Sequence, residues 1–511
     1  EIERLRSAGI ELLDYVPYST WAVKIDHKKV QDARLASFSN IRSVFTVDAN
    51  FKIDTRLTKT AIPEYAEPQF GKVDINVLLY DGCSLNKFLT YAKDFNVDVL
   101  DRNPDAKKLT LRVSLSALNK LPEFNGVKWI EPITPEKEFK NVDGYRNHQA
   151  NVLGASFSGA RNLTGDGVMV GEWDGGAVGG HHDLYGRVTV GTEEQVHWHS
   201  THVAGTIMGR GILDPKARGS APNSTLYSSD FIKEDFNIAN EMLSVSNDLG
   251  VDITSNSWGY TMSQDFCENP FPYISSAYYF DNVAFQNKKL THVFANGNDQ
   301  QVCPGGHWTS AWTMKNAILV GAINDKSQMT NFSSWGPLFD GRMAPHICAV
   351  GKDVYSTLQN NQYYSESGTS MATPAISGGI ALLYEQYKDI HGVNPTSATI
   401  RSLLYNSASD LGNPGPDYVY GFGRVNLRKA AVAIEEGNII TDQVSEGSTN
   451  TYNIDVPDNL TQLKVTIAWT DEAGSTTAAF PLVNDLDIRV TGDNQEFLPW
   501  VLDKDNPEAV A

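Results

Sequence analysis

Between residues 165 and 435, short apolar runs alternate with stretches of helical period. Residues 168–173, 226–228, 251–255, 290–295 and 317–322 are compact apolar or small-residue runs of the length and composition of buried strands. Residues 236–249, 274–289, 371–387 and 398–406 repeat their apolar positions at helical spacing between or after those runs. Buried strands alternating with helices predict an α/β fold, a parallel sheet with helices on both faces. Ligands of such sheets bind beyond the carboxyl ends of the strands, so chemistry is expected in the residues that follow each run.

The flanks follow other patterns. In the first 140 residues the order strand, turn, strand, helix, strand occurs twice. The first round runs through 9–15, a turn at Pro17, 21–25, a helical stretch and 40–44. The second runs through 96–100, a turn at Pro104, 109–113, a helix at 116–121 and 126–130. This predicts a duplicated α+β region, module 1 at 1–58 and module 2 at 75–140, with 56–75 (Pro63, Pro68) as linker. The central domain is expected at 141–436. After Glu436 the helical period ends, and 451–456, 463–469 and 486–490 alternate as strands between turn residues. A β-sandwich domain is expected at 437–511, incomplete because too few strands follow. The chain opens in mid-helix by pattern, so its natural start is expected upstream.

Composition narrows the partners. Of 511 residues 42 are basic and 61 acidic, a net charge of −19. That balance argues against nucleic acid, whose binding draws on clustered Lys and Arg. The longest apolar runs are far below the ~18–20 residues of a membrane-spanning helix. Four cysteines exclude a disulfide scaffold. Cys267 and Cys303 flank one helix–strand unit among loop residues, where either a bridge or two thiols fits; Cys83 and Cys348 are expected to be free.

Three polar residues stand where the pattern expects chemistry. Asp174 ends a strand, His199 opens a small-residue helix (HSTHVAGT, 199–206), and Ser370 starts an apolar helix (GTSMATP, 368–374) that tolerates Pro374 in its first turn. A serine hydroxyl becomes a good nucleophile when an imidazole takes its proton, and the imidazole needs a carboxylate to fix its tautomer. Asn298, after another strand, could donate its amide to an oxyanion beside the Ser370 backbone N–H.

In chain order Asp174, His199, Asn298, Ser370, and in the surrounding VGEWDG, HSTHVAGT, ANGN and GTSMATP, the sequence resembles the subtilisin-like serine proteases. The resemblance implies a secreted serine endopeptidase acting on peptide substrates, with Ser257, Trp258 and Gly259 as substrate-binding strand and Ala295, Asn296 and Gly297 as pocket wall. Residues 463–471 (LKVTIAWTD) and 482–487 (LVNDLD) resemble the C-terminal β-barrel of the KP-43-type alkaline proteases. Residues 1–140 are similar to the propeptides of the family, which implies a precursor inhibited by its own N-terminal segment, with 135–140 as tail and Lys140/Asn141 as junction. Two positions depart from the family pattern. Gly175 stands where the family has a hydroxyl residue after the catalytic Asp, and Ser200 where it has Gly after the catalytic His. Neither departure removes a reacting group.

No cofactor is needed for this chemistry. The resemblance also implies structural calcium, for which Asp471, Asp485 and Asp487 are candidates against the alternative of solvated turn carboxylates. Two rival readings remain. His197, His199 and His202 have a zinc-hydrolase spacing, with His181, His182 and Asp183 nearby, although Thr201 stands where such a motif carries Asp. A catalytically inactive binding or inhibitor protein on the same scaffold is the other. Asn-x-Ser/Thr triplets at Asn162, Asn223, Asn331 and Asn459 matter only in a eukaryotic secretory pathway.

Overall fold

The computed structural model describes all residues except 1, 17–19, 26–37, 39–40, 59–61, 63–65, 68–70, 134–140, 157–159, 192–194, 269–271, 458–459, 461 and 494. The turn at Pro17, the helix expected after Ile25, Pro63, Pro68, the expected tail 135–140 and Asn459 lie outside the described residues. The chain divides into two compact units, Glu1–Glu138 and Phe139–Ala511.

The first unit is built on a four-stranded antiparallel sheet of Lys72–Leu79, Asp98–Asn103, Lys108–Ser114 and Val127–Pro132. Three of these strands match the second round of the repeat. The fourth, Lys72–Leu79, begins inside the expected linker and lies between Lys108–Ser114 and Val127–Pro132. Its polar residues hide it in the sequence. Asp74 and Asn76 are buried, because Arg112 grips Asp74 through two bonds of 2.7 and 2.9 Å and Thr110 Oγ1 donates to Asn76 Oδ1 at 3.0 Å. The first round forms its hairpin, Glu11–Val16 against Thr20–Lys24. The strand expected at 40–44 is absent from the described residues 41–44, and Val44, Phe45 and Val47 are exposed. Instead Ile53 pairs with Ile130, and Ile53 and Leu57 join the core of the second round. The expected linker thus interrupts a continuous packing unit.

The second unit carries a seven-stranded parallel sheet: β1 Met169–Asp174, β2 Val188–Val190, β3 Thr225–Asp230, β4 Val251–Asn256, β5 Thr291–Ala295, β6 Ile318–Ile323 and β7 Ile347–Val350, in the order β7-β6-β5-β4-β1-β3-β2. The chain is α/β, as the alternating pattern predicts. Every residue of β4, β5 and β6 is buried, which is why those strands are dominated by apolar and small residues, with Asp252, Asn256 and His292 as the larger polar members. Helices α1 Trp198–Met208, α4 Thr369–His391, α5 Ser397–Ser407 and α6 Leu427–Glu435 share a core with Val170, Ile253, Val293 and Ile318. Helices α2 Asp235–Leu249 and α3 Ser275–Gln286 share another with Trp173, Val251, Phe294 and Leu319. Adjacent residues on one strand therefore feed opposite cores. From β1 the chain goes to β2 and β3 on one side and then to β4 on the other, which opens a crevice at the carboxyl end of β1.

A hairpin that the pattern did not predict, Val354–Leu358 with Gln362–Glu366, covers α1. Its Ser356 and Thr357 hydroxyls donate to His202 O and Thr201 O at 2.8 and 2.7 Å. A Cβ on Gly205 would come within 2.2 Å of Thr357 Oγ1, so the approach of hairpin and helix requires glycine there. Cys267 and Cys303 form a disulfide, while Cys83 and Cys348 are free thiols.

Beyond α6 the described residues pair only Val490–Gly492 with Gln495–Phe497. Residues 451–456 and 463–469, expected as strands, make no ladder, since a strand exists only through a partner edge. The segment instead docks on α5 through side chains. Asn406 Nδ2 donates to Lys464 O at 2.9 Å, and Arg401 Nη2 to Trp469 O at 2.7 Å. No helix among the described residues is long and apolar enough to cross a membrane.

Candidate active site

Asp174 is the last residue of β1 and is buried. The turn after it aims the next backbone N–H back at the carboxylate, Gly175 N to Oδ1 at 2.7 Å. His199 sits in the first turn of α1, which is capped by the preceding imidazole: His199 N–H donates to His197 Nδ1 at 3.3 Å. His199 Nδ1 lies 2.7 Å from Asp174 Oδ1 and 2.9 Å from Oδ2. A carboxylate only accepts, so Nδ1 carries the proton and Nε2 is left with its lone pair. Burial works to lower the His199 pKa. The Asp174 charge, its hydrogen bond and the charge of Glu366 on the covering hairpin outweigh it, and the net shift is upward.

Ser370 is the second residue of α4. Its Oγ donates to Ser257 O at 3.0 Å, and Ser257 Oγ donates back to Ser370 O at 2.8 Å. The second bond has a local cause. Ser370 O is the carbonyl that residue 374 bonds in an unbroken helix, and Pro374 has no N–H to give it. Ser257 fills the vacancy from outside the helix and fixes the loop after β4 against the nucleophile-bearing turn. Ser370 N–H is among the first donors of a long helix, which have no partner within it.

Asn298 follows β5. Thr369 N and Thr369 Oγ1 donate to Asn298 Oδ1 at 2.9 and 3.0 Å, which turns the Nδ2 amide away to donate elsewhere. An amide and a helix-start N–H together can hold a developing oxyanion. Asn298→Ala is expected to lower kcat by roughly 10²–10³-fold with KM little changed, as measured by steady-state hydrolysis of a peptide substrate; an unchanged kcat removes Asn298 from the site.

The pocket residues differ in how they contribute. Trp258 stacks on Phe231 (5.2 Å between centroids, 21°) and packs against Phe294 and Trp312, and its carbonyl accepts from Trp312 Nε1 at 3.1 Å. A side chain on Gly259 would strike Trp312 Nε1 at 2.9 Å. Ala295 ends β5 in the core. Asn296 is buried, donating to Ser334 O at 2.6 Å and accepting from Ser310 Oγ at 2.7 Å, with its backbone N–H on Val320 O and its carbonyl on Ala311 N, so it braces the pocket wall. Gly297 takes a φ of +111°, a conformation that favours glycine.

The histidine cluster does not converge. His202 Nε2 donates to Val354 O and Tyr364 O at 3.0 and 3.1 Å, and burial lowers its pKa to about 4. His197 caps α1, His199 faces Asp174, and Asp183 accepts from Ile212 N and the Tyr363 hydroxyl. Among the described residues no three His, Cys, Asp or Glu side chains are grouped to hold a metal. The calcium candidates do not share a site either. Asp471 is buried and takes the Lys315 ammonium, Val483 N, Asn484 N and Asn484 Nδ2, whereas Asp485 and Asp487 are exposed.

Sequence reasoning missed the supporting residues. Thr369 orients Asn298, and Ser200 donates to Asp174 Oδ1 at 3.2 Å. Glu172, two residues before Asp174 on β1, is fully buried with neither carboxyl oxygen hydrogen-bonded among the described residues. Burial, reinforced by the Asp174 charge, pushes its pKa well above the usual carboxylate range. The signal available was Glu172 itself, a charge inside an otherwise apolar or small-residue strand.

The model of the Subtilase family matches residues 165–423, just over half of the chain. A thermostable alkaline protease of Halalkalibacterium halodurans is 28% identical to the chain over 66% of its length and 87% of the relative's. Subtilisin amylosacchariticus of Bacillus subtilis subsp. amylosacchariticus is 27% identical over 53% of the chain and 68% of its own. Among solved structures, the protease domain of PatA is 23% identical with a TM-score of 0.44, covering 54% of this chain and 98% of that one.

Proposed function

The chain belongs to the subtilase family of serine peptidases, and we propose that it is a secreted endopeptidase whose reacting groups are Asp174, His199, Ser370 and Asn298. His199 Nε2 takes the Ser370 proton as Oγ attacks the scissile carbonyl, and later delivers it to the leaving amine. Asp174 holds the tautomer and offsets the imidazolium charge. The Asn298 amide and Ser370 N–H receive the oxyanion, and water releases the acyl group. For this step Ser370 Oγ must leave Ser257 O, to which it donates in the structure, and turn to His199. Nucleophile, base and oxyanion donors all come from the chain, so the reaction needs no cofactor. The observation that carries this reading is the pair of 2.7 and 2.9 Å contacts from His199 Nδ1 to a buried carboxylate.

Residues 1–140 act in this proposal as an inhibitory propeptide removed near Lys140/Asn141, and N-terminal sequencing of autoprocessed protein checks that junction. The Cys267–Cys303 disulfide supports export to an oxidising compartment. The test of the proposal is covalent: a fluorophosphonate labels Ser370 of processed wild-type protein, fails to label Ser370→Ala, and labels regardless of chelator. Processed wild-type protein that takes no label overturns the proposal in favour of an inactive scaffold.

A further inference from the structure

Among the described residues, Asp174 Oδ1 accepts from three donors, Gly175 N, His199 Nδ1 and Ser200 Oγ, while Oδ2 accepts from His199 Nδ1 alone. Ser200 is fully buried and immediately follows the histidine on α1. Its hydroxyl lies 2.7 Å from Gly176 O and 3.2 Å from Asp174 Oδ1, so one proton is shared between the turn and the carboxylate. We propose that Ser200 is a positioning residue for Asp174, supplying from the helix the hydroxyl support that residue 175 cannot supply from the strand.

A side chain at residue 175 would be crowded by His197, which would have to give by a few tenths of an ångström. A Cβ there would meet His197 Nδ1 at 3.2 Å and Cε1 at 3.4 Å, and that imidazole is the cap of α1, held by His199 N–H. The two departures from the family pattern are therefore one arrangement. His197 occupies the space beside Gly175, and Ser200 supplies a hydroxyl donor to the same carboxylate oxygen that Gly175 N meets. Because Ser200 also ties down Gly176 O, the strand end, its turn and the helix bearing His199 are joined through a single oxygen. The carboxylate plane is thereby set so that both oxygens reach His199 Nδ1. The other titratable groups that face the Asp174–His199 pair are Glu172 on the same strand, His197 at the start of α1, His202 on α1 and Glu366 on the hairpin.

This inference rests on the proposed reaction, and the test separates the two. The readout is the second-order rate of fluorophosphonate labelling of Ser370 in the processed enzyme across pH, which needs no knowledge of substrate preference. Ser200→Ala keeps the Cβ and loses only the hydroxyl. It is expected to label about tenfold more slowly at the plateau, with melting temperature little changed. Its acid limb is expected to move upward by about half a pH unit, because a carboxylate that loses a donor holds the imidazolium more strongly. Ser200→Gly should behave like Ser200→Ala, since the hydroxyl and not the methylene is what counts. Wild-type enzyme that labels while Ser200→Ala matches it in rate and acid limb overturns the role of Ser200. A slower Ser200→Ala with an unmoved acid limb also overturns it, leaving Ser200 as an anchor of the Gly176 turn alone. Wild-type enzyme that takes no label overturns instead the reaction on which the inference rests.

Discussion

Asp174→Asn is expected to lower kcat/KM by roughly four orders of magnitude while leaving the fold intact. The size of the loss follows from the donors around the carboxylate. Gly175 N and Ser200 Oγ both point at Oδ1, so the amide oxygen of an asparagine settles there and its NH2 takes the Oδ2 side. That NH2 then donates to His199 Nδ1, which sits 2.9 Å from Oδ2. Nδ1 becomes an acceptor, the ring proton moves to Nε2, and the atom that must receive the Ser370 proton already carries one. The upward shift of the His199 pKa, which draws on the Asp174 charge, disappears as well, so the residual activity should show its acid limb at lower pH. Peptide hydrolysis across pH, with the variant processed in trans by wild-type enzyme, measures both. A loss below tenfold would mean that Asp174 does not set the tautomer.

The second large effect concerns stability. Glu172→Gln should remove a pH-dependent penalty from the folded state. Burial raises the Glu172 pKa far above its reference of about 4.5, so the folded chain holds this proton more tightly than the unfolded chain does. The stability linked to it is fully present below pH 4.5 and is lost as pH rises toward the folded-state pKa. Within that window wild-type stability should fall relative to Glu172→Gln by about 1.4 kcal/mol per pH unit. Urea unfolding from pH 4 to pH 8, with both proteins carrying Ser370→Ala to prevent self-digestion, gives the difference directly. A difference that stays flat across this range shows Glu172 to be ionised or solvated in the folded state.

The strands β4, β5 and β6 were legible because burial on both faces leaves a composition that only such a sheet uses. The short edge strand β2, with two exposed residues of its three, and the hairpin over α1 carry no such mark. Lys72–Leu79 was hidden for the opposite reason, since its buried Asp74 and Asn76 are satisfied by Arg112 and Thr110 from a strand more than thirty residues away. Asp174, His199, Asn298 and Ser370 could be read from motifs because each sits next to small residues at an element boundary. Ser200, Thr369 and Ser257 could not be read as supports. Their roles depend on which atoms meet across elements, and a sequence records only neighbours along the chain.

The ammonium of Lys315 is enclosed by Asp471 Oδ2, Glu472 O and Pro481 O, and both charged side chains of the pair are about 95% buried. Withdrawing the 471–481 loop would give up this pair and both carbonyl contacts to the Lys315 ammonium together. Partial detachment of this loop is correspondingly rare. Lys315 thus closes the 471–481 loop with a buried pair, where an exposed ion pair would leave it free to open.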